Sequence, residues 1–148
     1  MDDWTGGIPT DVARRALLDT GFVVALVNAA DPDHQRCVDV WSDLRAQLFS
    51  VEGVLVESAH LLRRTRRGVA AAVHLLEHAG VRVVPMSEIG NKRPLELMEK
   101  YRDVPMDFVD ALLVAVGEKH GVREVLTLDR RGFDTYRANG RERFVVLP

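Results

Sequence analysis

Short apolar segments of strand length alternate with longer segments of helical periodicity along nearly the whole chain. The strand-like segments read RALLD, LFSV, VRVVPM, EVLTLD and RFVVLP, and the segments between them have the apolar spacing of helices. The first helical segment, TGFVVALVNAA, has Thr20 as its expected N-cap. A later one, PMDFVDALLVAVGEKHG, has Pro105 near its first turn and Gly121 past its end. This alternation is typical of α/β domains, in which helices cover a parallel sheet. We therefore predict an α/β fold with a central, mainly parallel five-stranded sheet flanked by helices.

The length of 148 residues suits one domain, and no linker or internal repeat divides the sequence. Residues 1–13 are acidic and interrupted by glycine and proline, without the apolar region of a secretory signal, and we expect them to form a loose leader before a domain at 14–148. Cys37 is the only cysteine, which suits a reducing cytosol. No apolar run has the length of a membrane span, so we expect a cytoplasmic protein that does not bind membranes.

Four acidic residues lie in apolar surroundings, at positions where an α/β fold gathers ligands. Asp19 and Asp129 each follow a predicted strand directly, and ligands bind beyond the carboxyl ends of parallel strands. Asp110 lies near the start of the predicted helix with the strongest start and stop signals, and Glu57 is embedded in another. Each acid alone has a structural explanation, as a helix cap, a turn residue or the partner of an arginine. Four such positions in one small domain favour a shared role.

If the four carboxylates converge, they repel one another at neutral pH, and a divalent cation would relieve that repulsion. Oxygen ligands without cysteine suit Mg²⁺ or Mn²⁺. A cation held by acids at an open cleft can lower the pKa of a bound water and neutralise the charge on a phosphate. If the acids converge, the site is therefore equipped for phosphodiester hydrolysis.

Four motifs occur in a fixed order along the chain: LLDTGFVVAL, VLVESAHLLRR, MDFVDALLVAV and LTLDRRGF. Together they resemble the acidic motifs of PIN-domain nucleases, and in particular the VapC-like ribonuclease toxins of prokaryotic toxin–antitoxin pairs. The resemblance covers residues 14–148 and implies a single PIN-like domain with Mg²⁺- or Mn²⁺-dependent endoribonuclease activity. It also implies a set of catalytic and metal-binding acids, supported by two threonines: Asp19, Glu57, Asp110 and Asp129, with Thr20 and Thr127.

Asp107 is an additional acid, three residues before Asp110 and on the same helical face. It either joins the metal ligands or favours the N-terminus of the helix, and we prefer the second interpretation.

The net charge of −2 gives no global basic signature, and an acidic pocket repels RNA, so phosphate contacts must come from local basic residues. The candidates for those contacts are Arg63, Arg64, Arg66, Arg67, Arg130 and Arg131.

The resemblance also implies partners. VapC-like proteins usually form homodimers and are held inactive by a cognate antitoxin, so we expect both, with RNA as the substrate. Two alternatives stay open: a PIN-like module that binds RNA or protein without cleavage, and a solitary RNA-processing nuclease.

The HLLEH segment at 74–78 matches the H-x-x-E-H zinc-protease pattern, but no further ligand is evident downstream, and we expect an exposed helix face there.

Overall fold

The computed structural model describes residues 14–148, so the predicted leader lies outside the described residues. Within that range the chain forms seven strands and eight helices. In chain order they are β1 (Arg15–Leu18), α1 (Thr20–Val27), α2 (His34–Asp43), β2 (Gln47–Val51), α3 (Glu52–Leu61), α4 (Gly68–His78), β3 (Arg82–Val84), α5 (Met86–Ile89), α6 (Lys92–Lys100), α7 (Phe108–His120), β4 (Glu124–Leu126), α8 (Arg130–Thr135), β5 (Arg137–Ala138), β6 (Glu142–Arg143) and β7 (Val145–Leu147).

Five strands form one sheet in the order β3-β2-β1-β4-β7, and every neighbouring pair is parallel. In the middle of the sheet, Leu17 of β1 pairs with Phe49 of β2 on one side and with Val125 of β4 on the other. The predicted five-stranded sheet is confirmed. This order makes β1 and β4 direct neighbours, so their carboxyl ends lie side by side.

Helix α7 packs inside the domain and is buried along most of its length. Its residues 110–117 are buried, because the segment is apolar on nearly every side after the first turn. Asp107 caps its N-terminus, and Gly121 follows its C-terminus with a φ of 68°, a conformation that glycine adopts without steric cost. The predicted end at Gly121 is confirmed. The helix begins at Phe108, so Pro105 precedes the cap and does not belong to the first turn.

Helix α1 starts one residue earlier than the sequence indicated. We expected Thr20 to be its N-cap, but Asp19 is the N-cap and its side chain accepts a hydrogen bond from the Thr20 backbone N–H. Helices α5 and α8 and the antiparallel β5–β6 hairpin are short elements that the periodicity did not predict. His74 and His78 are exposed on α4, as expected for the HLLEH segment. Within residues 14–148, no helix is long and apolar enough to cross a membrane.

Candidate active site

The site begins where β1 ends against β4. The backbone N–H of Asp19 donates to the carbonyl of Leu126 at 3.0 Å, so the sheet pairing extends to Asp19 itself. The side chain then caps α1, with Oδ1 accepting from the Thr20 N–H at 2.8 Å. Asp19 is only 7% exposed. The end of β1 thus places a buried carboxylate at the carboxyl edge of the sheet.

Thr127 joins the first acid to the fourth. Its hydroxyl donates to Asp19 Oδ2 at 2.6 Å and accepts a hydrogen bond from the backbone N–H of Asp129 at 3.0 Å. Asp129 is exposed and caps α8, with its Oδ1 accepting from the Gly132 N–H at 3.1 Å. One buried threonine side chain therefore fixes the positions of two acids that are far apart in the sequence.

Asp107 and Asp110 form a capping box at the start of α7. Asp107 Oδ1 accepts from the Asp110 N–H at 2.8 Å, and Asp110 Oδ2 accepts from the Asp107 N–H at 3.3 Å. Asp110 is 9% exposed, whereas Asp107 is exposed. This geometry gives Asp107 the helix-capping function that we preferred for it.

Glu57 reaches the same network through Thr20. It is half-buried on α3, and its Oε1 accepts from the Thr20 hydroxyl at 2.7 Å. The backbone N–H of the same threonine donates to Asp19. Thr20 therefore bonds two of the predicted acids and orients both.

Tyr136 is a site residue that the sequence did not suggest. Its hydroxyl donates to Asp110 Oδ2 at 3.2 Å, and the residue is only 1% exposed. Close to this contact, a Cβ atom at Gly132 would overlap the Asp129 carboxylate and come within 3.0 Å of the tyrosine hydroxyl. Tyr136 and Asp110 are 26 residues apart in the sequence, and no motif or periodicity predicts that they meet.

Burial, with smaller contributions from neighbouring charges, raises the pKa of the two buried carboxyls of the site, those of Asp19 and Asp110. Burial raises the pKa of Asp19 to about 6, with smaller contributions from the charges of Asp107 and Asp129, while hydrogen bonds from Thr127 and Thr20 oppose the rise. Three helices, α1, α7 and α8, begin at this site, and their N-terminal partial positive charges favour ionised carboxylates. Proximity of the acids is thus seen in their electrostatics as well as in their hydrogen bonds.

Asp110 has the most strongly shifted carboxyl in this cluster. Burial raises its pKa to about 7, and the charges of Asp107, Asp19 and Asp129 add to the rise. Burial and the charges of Asp110 and Asp129 also raise the pKa of the Tyr136 hydroxyl far above its ordinary range, so this group remains a hydrogen-bond donor. The repulsion recorded in these shifts is what a bound cation would relieve.

The arrangement fits a hard cation chemically, although it is not closed around one. Among the residues that the structure describes, no group of three or more His, Cys, Asp or Glu side chains could hold a metal ion as it stands. Within residues 14–148, four carboxylates each have one oxygen that accepts no hydrogen bond. Such oxygens are hard ligands, which suit Mg²⁺ or Mn²⁺. These oxygens are Glu57 Oε2, Asp107 Oδ2, Asp110 Oδ1 and Asp129 Oδ2.

All six candidate arginines are exposed. Arg63 donates to the His60 carbonyl at 2.7 Å, and Arg130 donates to the Pro148 carbonyl at 2.6 Å. The other four make no side-chain hydrogen bond or ion pair within residues 14–148, and are therefore available for phosphate contacts: Arg64, Arg66, Arg67 and Arg131. They lie on the segment that follows α3 and in the first turn of α8, directly after Asp129.

A sequence model of the PIN domain matches residues 16–139. The chain belongs to the PIN domain family. It is 30% identical over 135 residues to Ribonuclease VapC26 of Mycobacterium tuberculosis, covering 89% of this chain and 99% of the relative. It is also 30% identical over 115 residues to the 23S rRNA-specific endonuclease VapC20 of the same species, covering 76% and 87%. The predicted PIN and VapC resemblance is therefore confirmed, and the homologues of this PIN domain are VapC ribonucleases.

Solved structures agree with this PIN fold. The crystal structure of Mycobacterium tuberculosis VapC20, described as a toxin that cleaves the sarcin–ricin loop, matches with a TM-score of 0.66 at 26% identity, covering 78% of this chain and 90% of that one. A chain in a toxin–antitoxin complex from Klebsiella pneumoniae matches with a TM-score of 0.60 at 14% identity, covering 90% and 96%. The second likeness concerns the fold alone.

Proposed function

We propose that this PIN domain is an Mg²⁺- or Mn²⁺-dependent endoribonuclease and the toxin of a type II toxin–antitoxin pair. The observation that carries the proposal is the hydrogen-bonded link from Asp19 through Thr127 to Asp129. The charges of both of these acids also act on Asp110. Structural acids that only cap helices have no need to share such a network. The names of the relatives support the same reaction class.

The cation would be held by Asp19, Asp110 and Asp129, and Glu57 would complete the set of ligands. Asp107 is an additional possible ligand beside them. When bound, the cation lowers the pKa of a water and neutralises charge on the phosphate. The protein contributes to catalysis by orienting the acids. Thr20 and Thr127 each donate a hydrogen bond to one oxygen of Asp19 and so hold its carboxylate in place. Carboxylate oxygens that lack a donor can accept the proton of a water that attacks the phosphodiester.

Substrate affinity comes from outside the acidic site in this proposal. Arg64, Arg66 and Arg67 carry unpaired charges between α3 and α4, and Arg131 does so at the start of α8. Phosphate contacts of this kind release counterions, so binding should weaken as salt rises. Ribosomal RNA is the first substrate to test, because the relative VapC20 is described as specific for 23S rRNA.

The test compares two variants that each lose one carboxylate. Asp19→Asn removes the buried acid, whereas Asp134→Asn removes an exposed acid of α8 whose nearest ion-pair partner, Arg130, lies 3.8 Å away. With purified RNA and Mn²⁺, Asp19→Asn should lose at least about 100-fold in cleavage rate, and Asp134→Asn should keep the wild-type rate. Cleavage by Asp19→Asn at the wild-type rate, or by the wild type in excess EDTA, would contradict the assignment.

Partners and location are part of the proposal. We propose that the protein acts in the cytoplasm, forms a homodimer and is held inactive by a cognate antitoxin. Co-expression with the product of a neighbouring gene, followed by size-exclusion chromatography with light scattering, tests the antitoxin and the dimer together. If the protein is monomeric and no partner co-purifies with it, both the homodimer and the antitoxin are contradicted.

A second candidate is a PIN-like module that binds RNA or protein without cleaving it. The specific observation in its favour is that no group of acids within the described residues is closed around a metal position. Titration of the protein with Mn²⁺ in a calorimeter separates the two candidates. Saturable binding supports the nuclease, and its absence supports the non-cleaving module.

A further inference from the structure

We propose that Tyr136 is a positioning residue of the acidic site: its hydroxyl fixes Asp110 Oδ2 and so leaves Asp110 Oδ1 for a divalent cation. This inference rests on the proposed nuclease function and adds to it a residue outside the four acidic motifs. The direct observation is the hydrogen bond of 3.2 Å from the tyrosine hydroxyl to Asp110 Oδ2, in the interior of the domain.

The phenol ring is held rigidly enough to act as a fixed donor. Its centroid lies 5.1 Å from that of Tyr101 and 5.2 Å from that of Phe133, and both pairs are edge-to-face. The backbone N–H of Tyr136 donates to the Gly132 carbonyl at 2.9 Å, which ties the residue to the end of α8. Ring and backbone are thus both fixed before any ligand binds.

The two oxygens of Asp110 differ because of this contact. Oδ2 accepts from the Tyr136 hydroxyl and from the Asp107 N–H, while Oδ1 has no donor among residues 14–148. If the hydroxyl is removed, the 3.3 Å bond from the Asp107 N–H is the only one left to hold the carboxylate, which can then turn about its χ2 torsion. Groups that orient metal ligands in this way typically change metal affinity by about 10- to 100-fold when they are removed.

The same hydroxyl lies beside the turn that carries Asp129. Gly132, whose N–H is bonded to Asp129, has room for no side chain, because a Cβ there would meet both the Asp129 carboxylate and the Tyr136 hydroxyl. The Tyr136 hydroxyl therefore lies between the Asp110 carboxylate of α7 and the turn that carries Asp129. A residue that serves the core alone would need only its ring.

Tyr101 offers a matched control. It is also buried and packs edge-to-face against the same ring. Its hydroxyl accepts from the Arg137 N–H at 2.9 Å and makes no hydrogen bond to the site acids within residues 14–148. Tyr136→Phe and Tyr101→Phe each remove one buried hydroxyl and keep the aromatic packing. A purely structural role predicts similar behaviour from the two variants.

The experiment measures Mn²⁺ affinity by calorimetry for the full wild-type chain and both variants, at a temperature where circular dichroism shows all three to be folded. Tyr136→Phe should bind Mn²⁺ at least about tenfold more weakly, and Tyr101→Phe within about twofold of the wild type. In RNA cleavage, kcat of Tyr136→Phe should fall at low Mn²⁺ and recover at high Mn²⁺, with KM for RNA unchanged.

The outcomes separate the two proposals. Saturable Mn²⁺ binding by the wild type with equal affinity in Tyr136→Phe overturns the positioning role and leaves the nuclease proposal standing. Equal weakening of affinity in both tyrosine variants likewise assigns the effect to packing and overturns the inference. No Mn²⁺ binding and no RNA cleavage by the wild type overturns the proposed function, and this inference with it.

Discussion

Replacement of Asp110 by asparagine should stabilise the cation-free protein at pH 8, although it removes a residue that we place in the active site. Burial raises the pKa of its carboxyl from 3.8 to about 7, and the charges of Asp107 and Asp19 contribute to this rise. An asparagine carries no charge. Its amide oxygen can take the position of Oδ2 and accept from the Tyr136 hydroxyl.

The magnitude follows from the shift in pKa. Each pKa unit corresponds to about 1.36 kcal/mol, so ionising Asp110 in the folded protein costs on the order of 4 kcal/mol relative to the unfolded chain. Asparagine avoids this cost but still needs partners for its amide group, so we expect a net gain in the free energy of unfolding of about 2–4 kcal/mol above pH 8.

The pH dependence has a definite sign. Because the pKa of Asp110 is higher in the folded state, its protonated form contributes stability in full below about pH 4, and this contribution is lost as the pH rises through about 7. The stability of the wild type should therefore fall across this range more than that of Asp110→Asn. The difference between them should be small at pH 4.5 and largest above pH 8.

Urea unfolding in EDTA at pH 4.5, 7 and 8.5 measures the difference, with Asp134→Asn as the exposed-acid control. Addition of Mn²⁺ at pH 8.5 should stabilise the wild type and the control but not Asp110→Asn, because ligand binding stabilises only a folded state that can bind. The reasoning is refuted if Asp110→Asn is less stable than the wild type at pH 8.5, or if it is more stable by the same amount at every pH.

Two further predictions concern the turn after β4 and the basic loop. Gly132→Ala should lower the free energy of unfolding by about 1–3 kcal/mol in urea titrations, because its methyl group would overlap the Asp129 carboxylate; a neutral effect would mean that the turn can relax. Arg64→Gln combined with Arg66→Gln should raise KM for RNA and reduce the salt dependence of binding while leaving kcat unchanged, and a fall in kcat alone would place these arginines outside the phosphate contacts.

The sequence predicted the sheet and the acidic motifs because both depend on local order. An apolar strand that leads into an acid places that acid at the carboxyl edge of a parallel sheet. Asp19 follows β1 directly, and Asp129 lies three residues after the end of β4. The cap of α1 was predicted one residue too late. Asp19 and Thr20 are both favourable caps, and the choice is made by the bond from Asp19 to Leu126 on the neighbouring strand, which the sequence does not display.

The parts of the site that the sequence missed depend on contacts between distant elements. Tyr136 meets Asp110 only because the short helix α8 turns the chain back against α7. The β5–β6 hairpin consists of two-residue strands, which are too short to produce a periodic pattern. The carboxylate network likewise needed a structure, since Thr127 connects two acids whose separation in sequence says nothing about their distance.

A crystal of the full chain soaked in Mn²⁺ tests the central claim most directly, because the anomalous signal of manganese locates the ion without reference to activity. The account predicts a single strong peak at the carboxyl ends of β1 and β4, bound by oxygens of Asp19, Asp110 and Asp129. Crystals with no peak there, or with manganese only on other surfaces, would contradict it.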